Sequence, residues 1–281
     1  MAISPSNEKF QTLPVYDSAQ RGFAPLIELR EIWRYRDLVT QLVQRDIAVR
    51  YKRSFLGVAW TMLNPLGMMV ILSVVFSQIF HTIERYPAYV LTGLIAWTFF
   101  SQSTSAAINA MVWGGDFFRR IYVPRSIFAI AAIGTGLVNL LFALVPLVLV
   151  ILVTGVPLRW TILFIPIPML LLVCFALAVG MLLSTLGIYF PDIVEMYQII
   201  LLAWFYFTPI LYPVDILPAE IQKWVKLNPM YPIIEMFRQP IYEGKLPTIE
   251  TFLLSSGVCL FSLLIAFWIF VQKSNDFAYR T

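Results

Sequence analysis

Charge is scarce in this chain. Of its 281 residues only 13% are Asp, Glu, Lys or Arg, while 59% are hydrophobic. A soluble domain has about 45–50% apolar residues. One core inside a polar shell cannot absorb the excess, so lipid must be the solvent. The mean hydropathy of +0.78 agrees. The formal net charge of +4 says little about nucleic acid; where the cations sit says more.

Other absences narrow the function. There is one histidine, His81, and two cysteines, Cys174 and Cys259, each inside an apolar run. The cysteines read as small buried hydrophobes, and so few ligands argue against a zinc site. No G-x-x-x-x-G-K-[ST] phosphate loop is present, and Gly244-Lys245 stands alone. The chain is thus not expected to hydrolyse nucleotide by itself. No uncharged run carries a mid-depth Asp, Glu or Lys of the kind an ion relay needs. No carboxylate pair or nucleophile–base set suggests catalysis. The first 54 residues are polar and charged, unlike a cleavable leader. No internal repeat argues for an inverted-repeat transporter.

What is present is a series of uncharged runs at 54–83, 86–115, 126–158, 160–191, 196–214 and 251–272. A spanning helix needs about 20 apolar residues. The runs predict an all-α membrane protein with six transmembrane helices, near 56–80, 87–109, 127–154, 162–187, 196–213 and 251–271. Residues 1–27 form a polar tail with three prolines. From Glu28 the pattern turns helical: Arg30, Arg34, Asp37, Gln41 and Gln44 make one stripe, and Leu29, Ile32, Tyr35, Val39, Leu42 and Val43 another. Residues 28–53 read as an amphipathic helix lying in the membrane interface, with helix packing on a soluble partner as the alternative. The spanning domain is 54–275, and 276–281 is a short tail.

Orientation follows the cations. Nine Lys or Arg fall in residues 1–54, three in the loop after the second span and two in the tail, 14 of the 20 in all. Both termini are therefore expected in the cytoplasm. Seven of the 18 prolines fall between Pro209 and Pro247. That segment, 214–245, predicts two short helices, one opening at Pro218 and one at Pro232. A re-entrant pair dipping from the outside fits, with a surface hairpin as the alternative. Glu235 and Arg238, three apart, are placed to pair.

Three features could carry function. Trp97, Phe99 and Phe100 cluster midway along the second span, and Trp204, Tyr206 and Phe207 midway along the fifth. Interfacial belts sit at span ends, so these are either interhelical packing or the lining of a channel suited to sugar rings. The loop WGGDFFRRIYVPRS joins spans two and three, and IYFPDIVE joins spans four and five. Both suit docking to a cytoplasmic partner, the first also anchoring by its cations. At the start of the first span, Arg50, Lys52 and Arg53 lack an acidic partner nearby in sequence. Juxtamembrane cations each attract anionic lipid by about 1 kcal/mol. They also suit a phosphate headgroup.

The stretch LVQRDIAVRYKRSFLGVAWTMLNPL (42–66) carries the pattern R-D-x-x-x-R-Y-(K/R)-x-S-x-L-G-x-x-W-x-x-x-x-P. Together with Tyr122-Val123-Pro124-Arg125 and Tyr189-Phe190-Pro191-Asp192-Ile193, it resembles the membrane subunits of ATP-binding-cassette exporters for polysaccharides and polyol phosphates, the Wzm, KpsM and TagG kind. Many relatives carry a basic residue where Pro191 stands. The likeness runs from about residue 28 to 275.

The resemblance implies a homodimer around a continuous channel, bound to two copies of a separate nucleotide-binding subunit that holds ATP and magnesium. This chain would then need no cofactor and would not be an enzyme. It implies a gate helix at roughly 28–50, coupling contacts through Asp116, Phe117, Phe118, Arg119, Arg120, Arg125, Pro191, Asp192 and Glu195, and a channel with aromatic walls. The expected substrate is an undecaprenyl-diphosphate-linked polysaccharide such as O-antigen, crossing the bacterial inner membrane. Teichoic acid or capsule are alternatives within the class. A membrane enzyme of lipid-linked sugar metabolism is the alternative outside it.

Overall fold

The computed structural model describes residues 24–52, 57, 59–81, 83–114 and 123–274. Among the described residues there are ten α-helices and no strand. In chain order they are α1 (Ala24–Arg34), α2 (Arg36–Tyr51), α3 (Ala59–Phe76), α4 (Tyr86–Val112), α5 (Ser126–Thr154), α6 (Pro166–Tyr189), α7 (Ile193–Phe207), α8 (Ala219–Leu227), α9 (Met230–Arg238) and α10 (Ile249–Lys273). A 3-10 turn, Trp160–Phe164, leads into α6, and a π turn, Gln239–Glu243, continues α9.

The helix ends have local causes. Pro87 in the first turn of α4 and Pro166 at the start of α6 supply preset backbone angles where an N–H would be unpaired anyway. Gly155 closes α5 in the left-handed region, at φ 71°. Thr248 caps α10 by accepting the N–H of Thr251 at 3.2 Å.

Among the described residues, four stretches are long and apolar enough to cross a membrane: α3, α5, residues 160–189 and α10. Each falls on one of the six uncharged runs. The other two runs behave differently. α4 has 27 residues but is studded with Thr, Ser, Gln and Asn. It is the hub of the bundle, packed against α3, α5, α6, α7 and α9. Three of its hydroxyls, those of Thr92, Ser103 and Thr104, are buried; Thr104 donates to the Phe100 carbonyl at 2.7 Å and meets the Tyr197 hydroxyl at 2.8 Å. α7 has 15 residues, a rise of about 22 Å, before the Thr208-Pro209 break.

The amphipathic stretch is two helices meeting at Tyr35. The apolar stripe of α2 is sheltered by protein. Leu42 is buried with Ile127 and Ala131 of α5, and Tyr35, Leu38, Val39 and Val43 pack around them. α1 reaches the last span, α10. Its Glu28 accepts a hydrogen bond from the Ser126 hydroxyl at 2.5 Å. Burial pushes the Glu28 carboxyl above its ordinary value, and the Ser126 bond partly offsets that.

At the other end of the bundle lies a broken pair divided at Asn228-Pro229: α8 opens after Pro218 as expected, while α9 opens at Met230, two residues before the expected Pro232, because Pro229 already serves as its cap. The asparagine is the joint. Its Oδ1 accepts the Trp204 indole N–H at 2.8 Å and the Met230 N–H at 3.0 Å, and its Nδ2 donates to Thr208 at 2.9 Å.

Candidate functional site

Two cavities lie side by side along α4. The larger, about 760 Å³, is walled by α3, α4 and α5. The smaller, about 560 Å³, lies between α2, α4 and α5. Arg50, Gln102, Ser103, Gly136 and Asn139 line both, so the two form one groove with a shared polar wall. α3 makes this space possible. It carries Pro65 inside the helix and few buried residues, so it stands off the bundle.

Arg50 lies in the last turn of α2 and is exposed at the mouth of both cavities. It forms no ion pair among the described residues, whereas Arg45 one turn back is neutralised by Asp46 at 2.8 Å. Lys52 is exposed just beyond α2. Arg53 lies outside the described residues. A free cation at a groove mouth suits an anionic headgroup.

The aromatic residues divide by helix face. Trp97 and Phe100 are buried between α4, α6 and α7. Trp97 meets Trp204 edge-on at 6.1 Å, and Phe100 stacks on Phe175 at 5.4 Å and meets Trp204 at 5.3 Å. Phe99 turns instead into the larger cavity. Trp204 is half-buried behind the α7 surface, while Tyr206 and Phe207 are exposed on it, Tyr206 at 61%. One interhelical cluster thus backs two outward-facing rings.

Of the loop residues expected to meet a partner, Asp116, Phe117, Phe118, Arg119 and Arg120 lie outside the described residues. Arg125 is half-buried at the foot of α5, and burial draws its guanidinium below its ordinary value. Pro191, Asp192 and Glu195 are exposed at the turn between α6 and α7, Glu195 in the first turn of α7 where a carboxylate favours the helix dipole.

Sequence reasoning missed the polar wall. Asn64, Gln102, Ser103 and Asn139 are each ordinary in an apolar run. Only the packing of three helices brings them to one space. A usable signal was the run Ser101–Ser105, SQSTS, five polar residues inside a span.

Residues 37–242 match the family of ABC-2 type transporters. That is well over half of the chain. The chain belongs to that family. Among its relatives, an O-antigen export system permease protein, RfbA, of Myxococcus xanthus is 30% identical over 254 residues, covering 89% of this chain and 97% of the relative. A protein of the same name from Klebsiella pneumoniae is 27% identical over 213 residues, 75% of this chain and 82% of the relative. The polysialic acid transport protein KpsM of Escherichia coli is 24% identical, over 73% of this chain and 81% of the relative. As an ABC-2 membrane protein with several spanning helices, the chain resides in a membrane. The larger groove lies within the matched segment, since every residue lining it falls between 50 and 143.

Proposed function

We propose that this chain is the channel-forming permease of an exporter of cell-surface polysaccharide, O-antigen or capsule, driven by ATP hydrolysis in a separate subunit. The observation that carries the proposal is the near end-to-end likeness to the Myxococcus O-antigen export permease. The absence of a phosphate loop in the sequence and the sugar-friendly groove chemistry favour it over a self-contained pump.

In this reading six helices cross the bacterial inner membrane, with both termini in the cytoplasm. α4 crosses despite its polar residues because its neighbours bury Thr92, Ser103 and Thr104 and Gln102 faces the groove. α7 crosses with the help of the α8–α9 pair, which enters from the outer face. Two copies of the chain enclose the channel, with Tyr206 and Phe207 on its wall and the Trp97–Phe100–Trp204 cluster stiffening that wall from behind. Phe99 serves the groove. The substrate is a polymer on undecaprenyl diphosphate whose charged end approaches Arg50, Lys52 and Arg53.

The ATPase subunits grip the loop that ends at Arg125 and the turn at Pro191, Asp192 and Glu195. Motion there reaches the interfacial helices directly. Glu28 of α1 is bonded to Ser126 at the foot of α5, and α2 packs on the first turns of the same helix.

Deleting the gene should leave lipid-linked glycan inside the cell and none on its surface. The wild-type chain together with an active ATPase subunit should restore export, and a hydrolysis-dead ATPase subunit should not. Robust ATP turnover by the purified chain alone, or surface glycan undiminished in the deletion strain, would sink the proposal.

A further inference from the structure

Three loops meet at the α8–α9 end of the bundle, and each brings an exposed cation. Arg85 precedes α4, Arg159 follows α5, and Lys245 follows the π turn. The turn ties the loops together. The Tyr242 hydroxyl donates to the carbonyl of Glu84, next to Arg85. The buried Thr161 hydroxyl donates to the Pro240 carbonyl at 2.8 Å. Arg159 donates from Nη1 to the Gly244 carbonyl at 3.4 Å, and its stem crosses Gly244 so closely that a Cβ there would fall 2.6 Å from Cδ. The Lys245 N–H closes the turn on the Gln239 carbonyl at 3.0 Å.

These cations have no obvious task in the fold. None forms an ion pair among the described residues, although Glu84 and Glu243 stand beside two of them in sequence. Arg85 is also the one non-glycine residue with a left-handed backbone among the described residues, at φ 53°. Glycine reaches that region freely, a side chain there carries strain, and such outliers cluster at functional sites. In the topology proposed above the turn faces outward, where cations are disfavoured. Three gathered there call for a cause.

Apolar surface adjoins the charge. Trp160 and Leu163 follow Arg159 and are mostly exposed, as is Ile249 after Lys245. α6 and α10 start here and pack together. Exposed Leu170 on α6 and Leu253 on α10 continue the apolar surface below. A soluble phosphate has no use for that surface. A zwitterionic lipid brings an ammonium group to the cations along with its phosphate. The molecule that suits both surfaces has a net negative phosphodiester and hydrocarbon chains.

We propose that this turn is a binding site for an anionic phospholipid of the outer leaflet. The phosphate lies among Arg85, Arg159 and Lys245. Trp160 sits at headgroup depth, and the acyl chains run along Leu163, Leu170 and Leu253. The lipid thereby joins the ends of α4, α6 and α10, the three spans that α9 packs against. The choice of leaflet rests on the topology proposed above; the recognition of an anionic lipid does not.

The test is photocrosslinking to the full chain in phosphatidylcholine nanodiscs. The probe is phosphatidylglycerol with a diazirine on one acyl chain, and phosphatidylcholine with the same group is the control. Mass spectrometry reads the labelled peptides. Labelling of the first turns of α6 and α10 by the phosphatidylglycerol probe should exceed the control about tenfold, three cations being offset in part by two acids. The R85Q/R159Q/K245Q variant should lose the excess, and R85K/R159K should keep it. Arg85→Gly should lower the excess about threefold without lowering the thermal unfolding temperature, because glycine relieves the left-handed backbone. Unlabelled phosphatidylglycerol should compete, and glycerol 3-phosphate should not.

Equal labelling by the two probes in wild type, or an excess that survives the triple variant, overturns the proposal. If the triple variant fails to fold, R85G and R159Q decide, and an unchanged excess in both overturns it. Competition by glycerol 3-phosphate at the strength of the lipid overturns the lipid source. Lys245→Cys should react with a membrane-impermeant maleimide in intact spheroplasts. Reaction only after permeabilisation overturns the outer leaflet, and the proposed topology with it, while the crosslinking still decides the lipid site. Failure of the wild-type chain to restore export sinks the export reading and leaves the lipid site standing.

Discussion

Arg238 and Arg50 mark two ends of the bundle and show opposite economies. Arg238 is 3% exposed in α9. Its Nη1 pairs with Glu235 at 2.9 Å, and its Nη2 donates to the carbonyls of Pro209 and Ile210 at 3.0 and 3.4 Å. Its guanidinium sits 3.8 Å over the Tyr89 ring. Around it Tyr86 donates to the Leu211 carbonyl, Tyr89 to that of Tyr212, and Tyr242 to that of Glu84. The chain break after α7 is thus sewn to α4. Among the described residues Arg50 has no such set. It stands exposed beside 760 Å³ of space. A cation whose partners are all within the fold holds the fold, and one whose partners are elsewhere is available for binding.

The sharpest way to break this comparison is to exchange the costs. Arg238→Met leaves the Glu235 carboxylate and two carbonyls without their donor in a dry site. Removing one partner of a buried pair costs about 3–5 kcal/mol, so thermal unfolding in mild detergent should fall steeply and membrane yield with it. The double variant R238M/E235Q should recover part of the loss. Arg50→Gln should leave unfolding within about 0.5 kcal/mol, as for surface changes generally. If the two single variants unfold alike, the contrast between a structural and a functional arginine fails.

A second measurement probes the packing that makes the groove. Gly136→Ala would put a methyl 1.8 Å from Ser103 Oγ, 3.0 Å from Ser103 Cβ and 3.3 Å from the Phe99 ring. α4 and α5 would have to part. Overpacking of this kind costs about 1–3 kcal/mol. Ser103→Ala removes the nearest atom, so S103A/G136A should regain more than half of the loss. Additive losses would show that α4 and α5 do not approach as closely as Ser103 and Gly136 require.

The same contrast explains what could be read from sequence. Runs of uncharged residues gave most helix positions to within a few residues, because burial in lipid depends on composition. The fifth, read as 196–213, ends instead at Phe207 before the Thr208-Pro209 break, which puts Trp204, Tyr206 and Phe207 in the last turn of α7 and not midway along it. The Glu235–Arg238 pair followed from a three-residue spacing on one helix. Its other partners did not, since Tyr89, Pro209 and Ile210 come from distant segments. Trp97, Phe99 and Phe100 looked like one cluster. Helical geometry sends 97 and 100 to one face and 99 to another, so the run serves two purposes. The amphipathic stripe of α2 was legible, but what covers Leu42 was not. Lipid and α5 satisfy an apolar stripe equally well, and only the fold chooses between them.

The smallest effect concerns the joint between α1 and α5. Ser126 donates to Glu28 at the foot of α5, and burial raises the Glu28 carboxyl above its ordinary value near 4.5. Glu31, one turn on, is raised by burial as well and lowered in part by Arg34. A carboxyl raised in the folded state binds its proton more tightly there than in the unfolded chain. Its contribution is therefore fully present below 4.5 and is lost as pH rises through the raised value. Docking of α1 should tighten on mild acidification. Glu28→Gln keeps an acceptor for Ser126 and removes the titration. Hydrogen exchange of the α1 amides should then show less protection lost as pH rises above 4.5 than in wild type, by about 0.5–1.5 kcal/mol of opening free energy, the worth of a single net hydrogen bond. An E28Q variant with the wild-type pH profile would assign the whole dependence to Glu31 and leave Glu28 as a passive contact.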